Sequence, residues 1–282
     1  MGTNTATKTI HEKQTGIKCI QVNLQHSRAA TANLMKAVAE DESDIIFIQQ
    51  PHTIQGKVIE NPTKYKTGED RCRATSVATN NQIDAMLIHQ LSDDDRVAVE
   101  IIKGNTKIIA VSMYFDKEIQ IEHDLIKMES VLHHAKNTGV LFPSDCNARC
   151  TLWHDKLSNS RGRIQEKFIT IQKLYILNED SCNTTFRNRL GTSNIDLSII
   201  NPQLLNSLTR WMISDQESVS DHSIIKYAIK PGIAKWHAEN PSHIGYRTNK
   251  ESLAKFQGTI LQVLRKKFKM NHNITRDEDL DD

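Results

Sequence analysis

IKCIQVNL (17–24), RAATANLMKAVAE (28–40) and IIFIQQP (45–51) are the stretches on which the fold turns. The first is apolar enough for a buried strand, and the third is a second short apolar run that Pro51 closes. Between them Ala29, Ala32, Leu34, Ala37 and Val38 recur at helical spacing. The opening rhythm is therefore strand, helix, strand. Working outward, residues 52–81 are polar with scattered turn formers and read as a long surface excursion. IDAMLIH (83–89), RVAVEII (96–102) and KIIAVSMYF (107–115) follow as a meander, because the turns between them are short and carry Asp93, Asp94, Gly104 and Asn105. A helix is expected over 118–136, a strand at GVLFPSD (139–145), and a helix at 163–174. Strands follow at YILN (175–178), IDLSIIN (195–201), SLTRWMIS (207–214) and HSIIKYAI (222–229). The chain does not alternate as a doubly wound parallel sheet would, so a two-sheet α/β sandwich fits best.

Composition narrows the class without naming a partner. The 36 Lys and Arg nearly cancel 34 Asp and Glu, which excludes both a histone-like basic coat and an acidic disordered chain. No run approaches the ~20 apolar residues of a membrane span, and the polar start MGTNTATKTIHEKQTG lacks a secretory apolar stretch. Five cysteines, odd in number and widely spaced, favour a reducing compartment, nuclear or cytoplasmic rather than secreted. Cys146 and Cys150 form one CxxxC without the second pair that structural zinc needs. We read 1–16 as a lead-in, 17–230 as the main domain, 231–249 as a linker, and 250–282 as a short amphipathic helix with a charged tail.

Acids, amides and a histidine sit directly at the ends of the apolar runs, in VNLQHSR (22–28), IQQPH (48–52), SMYFD (112–116), SDCNA (144–148), NIDLSI (194–199) and SDH (220–222). Strand ends along one edge of a sandwich hold side chains rigidly enough for chemistry. Such a set suits metal-assisted hydrolysis of a phosphoester, in which hard oxygens hold a divalent ion, usually Mg²⁺, with Mn²⁺ as the other option. An acid aligned by an amide can orient or deprotonate water, and a histidine held by a carboxylate can bind or protonate a phosphate oxygen. Each residue also has an ordinary reading: Asn23 as a strand end, Tyr114 as a core tyrosine, Asp145 with Asn147 as an Asx turn.

In order along the chain, VNLQHSRAA, IIFIQQP, SMYFD, SDCNARCTLW, SNSRG, YILN, TTF, GTSNIDLSI and SDHSII resemble the endonuclease domain of non-LTR (LINE-type) retrotransposon proteins. That domain is similar to apurinic/apyrimidinic endonucleases and belongs to the endonuclease/exonuclease/phosphatase superfamily. The resemblance covers about 17–230 and implies a DNase I-like α/β fold, a four-layer αββα sandwich of two packed mixed sheets flanked by helices. It implies Asp145 as the residue that activates water, with Asn147 beside it, Tyr114 at the phosphate, and Asp196 paired with His222. It places Gln50, Asn23 and Asp221 where the family holds its metal. Double-stranded DNA would be the partner, without a membrane, and a C-terminal reverse transcriptase domain would accompany it in the full-length protein.

Two positions depart from the family pattern. Gln49-Gln50-Pro51 stands where the family has Gln-Glu-Pro, so the metal-binding carboxylate is replaced by a neutral amide. Ser144-Asp145-Cys146 stands where the family usually has Gly-Asp-Phe. Near the motifs, Arg28, Arg71, Arg73, Arg149, Arg161, Arg163, Arg187 and Arg189 are candidate phosphate contacts, and 183–194 reads as a hairpin whose Phe186, Arg187 and Asn188 would reach the DNA. The leading expectation is a Mg²⁺-dependent endonuclease that nicks DNA to leave a 3′-hydroxyl primer for reverse transcription, weakened by Gln50. The rivals are a catalytically silent DNA-binding domain and another phosphoester hydrolase of the superfamily.

Overall fold

A computed structural model describes residues 16–54, 57–58, 72–181 and 183–230. The linker, terminal helix and tail expected beyond residue 230, the first 15 residues, Arg71 and Cys182 lie outside the described residues.

The apolar runs form two mixed sheets. The first has five strands in the order Leu208–Ile213, Ile225–Ile229, Ile17–Asn23, Ile45–Gln49, Ala74–Ala78. The second has six, in the order Tyr175–Ile176, Asp196–Ile200, Gly139–Asp145, Thr106–Tyr114, Arg96–Lys103, Asp84–Leu87. Each sheet contains one parallel pair, Ile17–Asn23 with Ile45–Gln49 and Thr106–Tyr114 with Gly139–Asp145. A parallel pair needs a crossover, and a helix supplies it in both cases: α1 (Arg28–Asp41) in the first and α2 (Ile121–Ala135) in the second. A third helix, α3 (Ser160–Ile171), follows the second crossover. The meander at 84–114 is antiparallel throughout.

Side-chain alternation explains why these strands read as unbroken apolar runs. Ile17, Cys19, Ile45 and Phe47 enter the cluster between the sheets, whereas Ile20, Val22, Leu24, Ile46 and Ile48 pack on Ala30, Leu34, Ala37 and Val38 of α1. In the second sheet Val97, Val99, Ile108 and Leu141 face inward, and Val111, Phe142 and Ile199 pack against Leu125, Met128 and Val131 of α2. Strands covered on both faces have no solvent side to alternate with. The layers are thus helix, sheet, sheet, helices: the αββα sandwich. The buried face of α1 differs from the expected one, since Ala29 and Ala32 are exposed and Ala30 takes their place. Alanine is small enough to be tolerated on either side, so the spacing of four alanines was ambiguous by one residue.

At the end of the sandwich that carries the polar strand termini, side-chain amides stitch the sheets together. Gln21 Nε2 donates to the Leu197 carbonyl at 3.1 Å, and Gln21 Oε1 accepts from Ser198 at 2.7 Å. Gln49 Nε2 donates to Ser112 Oγ at 3.0 Å and to the Pro143 carbonyl at 3.2 Å. These groups are fully buried and lie one or two residues inside the edge, so the platform is cross-braced where precision matters.

The SNSRG stretch opens α3. Asn159 Oδ1 caps the helix by accepting from Gly162 N at 2.8 Å and from Arg149 N at 3.2 Å, while Asn159 N donates to the Arg149 carbonyl at 2.9 Å. A Cβ on Gly162 would overlap that same Arg149 carbonyl oxygen, so only glycine permits the approach. Gly162→Ala is expected to cost about 3 kcal/mol by overpacking, read as a lower urea midpoint with an unchanged slope.

Candidate active site

All the polar strand termini converge on one edge. Asn23 lies opposite Gln49 in the first sheet, and Tyr114 and Asp196 flank Asp145 in the second. His222 precedes the strand Ile225–Ile229 and meets them from the first sheet. Ligand atoms of Asp145, Asp196 and His222 lie within 4.8 Å of one another, and among the described residues no other group of three such side chains does so.

Asp145 is the centre. Its side chain is buried, and both oxygens are engaged: Oδ2 accepts from Asn23 Nδ2 at 2.7 Å, and Oδ1 accepts from Asn147 N at 3.1 Å. Burial, with the neighbouring Asp196 charge added, pushes its carboxyl up to about 6, while His222 and the Asn23 bond pull the other way. His222 Nδ1 sits 3.0 and 2.9 Å from the two Asp196 oxygens, which leaves Nε2 facing Asp145 Oδ2 at 4.0 Å. Burial alone would lower the imidazole. The Asp196 charge and hydrogen bond, with Asp145 and Asp221 behind them, overcome it and hold His222 at about 9. The site therefore keeps an imidazolium beside a carboxylate, with its tautomer and orientation set by Asp196. Asp196 is held in turn by backbone: its N donates to Thr185 Oγ1 at 3.1 Å, and its carbonyl accepts from Asn178 Nδ2 at 2.8 Å.

The expected metal residues stand around this core. Asn23 Nδ2 is committed to Asp145, and Asn23 Oδ1 accepts from Gln25 N at 2.8 Å. Asp221 is exposed and accepts from Gln25 Nε2 at 3.3 Å. Gln50 has a left-handed backbone (φ 44°), and its main chain joins the Arg73 carbonyl at 2.7 Å and His26 N at 2.8 Å. Its side-chain amide makes no hydrogen bond to another described residue. The donors facing this edge are thus hard oxygens from carboxylates and amides, and Asp145 is already strained by its own negative neighbour. Both features fit a hard divalent cation.

Left-handed residues gather in these same loops: Gln25, His26, Gln50, Asn147 and Val219 all have φ between 44° and 57°. Such backbone is uncommon outside glycine and is characteristic of sites held by their surroundings. Asn147 shows how. Its Nδ2 donates to the Phe115 carbonyl at 3.0 Å, and its carbonyl accepts from Arg161 Nε at 3.1 Å.

Several residues take places that sequence alone did not assign. Arg161 spends its guanidinium on the Asn147 and Ile119 carbonyls, and Arg149 is paired with buried Asp155 at 2.8 Å. Both hold the loop that carries Asn147, whereas Arg28, Arg187 and Arg189 are exposed. The Phe186 ring stands edge-on against His222 with centroids 4.8 Å apart, and the exposed apolar side chain at the hairpin tip is Leu190. Arg73, quoted above only as a phosphate contact, bonds Asp95 in a two-pronged pair at 2.5 and 2.8 Å, also joins Asp116, and lies 5.2 Å over the Tyr114 ring. The clue available in the sequence was two acids, Asp95 and Asp116, flanking strands that end at this edge.

Residues 108–226 match the family described as endonuclease-reverse transcriptase. The chain is 27% identical over 227 residues to a 115 kDa protein in type-1 retrotransposable element R1DM of Drosophila melanogaster, covering 77% of this chain and 22% of that protein. It is 25% identical over 194 residues to the retrovirus-related Pol polyprotein from type-1 retrotransposable element R1 of Bradysia coprophila, covering 65% and 19%. The chain therefore spans about a fifth of the length of these relatives. The endonuclease domain of TRAS1, a telomere-specific non-LTR retrotransposon, superposes with a TM-score of 0.70 at 25% identity, over 76% of this chain and 98% of that one. AP endonuclease LMAP from Leishmania major shares the fold with a TM-score of 0.62 at 8% identity, over 81% and 92%. Motif order, sandwich and relatives agree: the chain is similar in sequence and fold to the endonuclease domains of non-LTR retrotransposons.

Proposed function

We propose that this domain nicks double-stranded DNA by hydrolysing one phosphodiester, leaving a 3′-hydroxyl from which a reverse transcriptase in the full-length protein extends. The observation that carries the reading is Asp145 clamped between Asn23 and Asn147, facing the His222 ring that Asp196 holds in place. Asp145 takes a proton from the attacking water, and the Asn23 and Asn147 bonds aim its lone pairs. His222 Nε2–H donates to a non-bridging phosphate oxygen and stabilises the charge that builds on it. Tyr114, with Arg73 over its ring, contacts the same phosphate group. Attack on phosphorus forms the new P–O bond and breaks the bond to O3′, which takes a proton from solvent water, giving the 3′-hydroxyl and a 5′-phosphate. Gln50, Asn23 and Asp221, with the Asp145 carboxylate beside them, would hold Mg²⁺ or Mn²⁺, which supplies charge neutralisation at the phosphate.

Supercoiled plasmid tests this. The protein is expected to convert it to the open circle with Mg²⁺ and not with EDTA, and Asp145→Asn to nick roughly 10³-fold more slowly. Equal nicking by wild type and Asp145→Asn would sink the proposal. A second reading, a silent DNA-binding domain, is favoured by one observation, the neutral amide of Gln50. It predicts that duplex binds while no nicking occurs in either metal.

A further inference from the structure

Beside the catalytic edge lies a second concavity, a cavity of about 340 Å³ between the loop at 154–156 and the hairpin at 186–193. Its single acid is Asp155, which is buried and already neutralised: Oδ1 is paired with Arg149 at 2.8 Å and Oδ2 accepts from Asn194 N at 2.9 Å. Lys156 and Arg187 also line it; both are exposed, and neither side chain has an ion pair or hydrogen bond among the described residues. His154, Asn194 and the hydroxyl-bearing Ser181, Thr184, Thr192 and Ser193 complete the lining. A polar cavity with two uncompensated cations and a neutralised acid has the chemistry of a phosphate pocket. Its position ties it to the reacting group. Arg187 N donates to the Asp221 carbonyl at 2.8 Å, next to His222, and Asn194 lies two residues before Asp196.

We propose that this cavity binds one phosphodiester of the substrate strand, flanking the scissile one, through Lys156 and Arg187. The inference rests on the DNA-nicking reading and adds to it a backbone contact that fixes which bond enters the site. The backbone bond from the hairpin to Asp221 favours a phosphate of the strand held at the catalytic edge over a free phosphate.

Two measurements test it on the full chain, using a nickable duplex in Ca²⁺ to follow binding by anisotropy. First, the slope of log affinity against log salt is expected to fall by about 0.9 in the double variant Lys156→Gln/Arg187→Gln, the signature of one lost phosphate contact. Second, in a set of duplexes each carrying one neutral methylphosphonate, one position flanking the nick is expected to weaken wild type several-fold and leave the double variant unaffected. Circular dichroism melts keep folding defects apart from lost contacts. An unchanged salt slope, or a methylphosphonate profile identical in the two proteins, overturns the cavity assignment while leaving the nicking reading intact. Failure of the wild type to bind any duplex overturns the nicking reading itself.

Discussion

Gln50→Glu is expected to raise Mg²⁺-dependent nicking by some 10² to 10³. The backbone at Gln50 is already fixed on both sides, by the Arg73 carbonyl and by His26 N, so a carboxylate of the same shape arrives where the amide now lies. What changes is one negative charge at the position proposed to hold the metal. If the better metal hold and placement recover about 3 to 4 kcal/mol in the transition state, the stated range follows. A second consequence separates this from a nonspecific gain. Without metal, an added charge on an edge that already holds Asp145 and Asp196 destabilises the variant, whereas saturating Mg²⁺ binds it more tightly and reverses the order. Thermal melts with EDTA and with Mg²⁺ should therefore rank the two proteins oppositely. Equal nicking rates across a Mg²⁺ titration would remove position 50 from the metal's surroundings.

Asp196→Asn is expected to slow nicking by about 10³ with little change in duplex affinity, because it removes the group that charges and aims His222 while leaving its shape. The same substitution has a signature in the stability of the metal-free protein. Held at about 9 when folded against 6.5 free, the His222 imidazolium contributes stability that is complete below pH 6.5 and lost as pH rises through 9. Asp145, raised from 3.8 to about 6, adds a loss in the same direction between those two values, because ionising it costs more in the fold than in the open chain. Wild type in EDTA should thus lose stability toward alkaline pH relative to Asp196→Asn, in which both drifts flatten. Denaturation curves from pH 4 to 10 measure the difference, and parallel curves would mean that Asp196 sets neither group.

The architecture was legible because burial on both faces leaves unbroken apolar runs, and because site-bearing polar residues stand out at the ends of such runs. Asn23, Tyr114, Asp145, Asp196 and His222 could be picked by that contrast, and the structure brings all five to one edge. What escaped reading depends on contacts between residues far apart in the chain. An arginine near a motif looks the same whether it points to solvent, as Arg187 does, or is spent on a loop carbonyl, as Arg161 is. Phe186 reads as a groove contact from its place in a hairpin, yet its ring rests on His222, some 36 residues later. The web of Arg73, Asp95 and Asp116 joins three separate connections, and no local pattern reports such a junction. Cys146 and Ser144, which replace the usual neighbours of Asp145, are absorbed by burial: Cys146 accepts from Gln165 Nε2 at 3.0 Å, and Asp145 keeps its bonds.

The hairpin is fastened at its base and open at its tip. Backbone bonds run from Arg187 N to the Asp221 carbonyl at 2.8 Å and from Ser223 N to the Thr185 carbonyl at 2.7 Å, bracketing His222. The far end is the reverse: Leu190 is 96% exposed, while Gly191, at φ 151°, holds a backbone conformation that favours glycine. Exchange at 189–190, with Gly191 kept, therefore offers a graft point where a lineage, or an engineer, can rewrite the protruding turn while the imidazole beneath it keeps its setting.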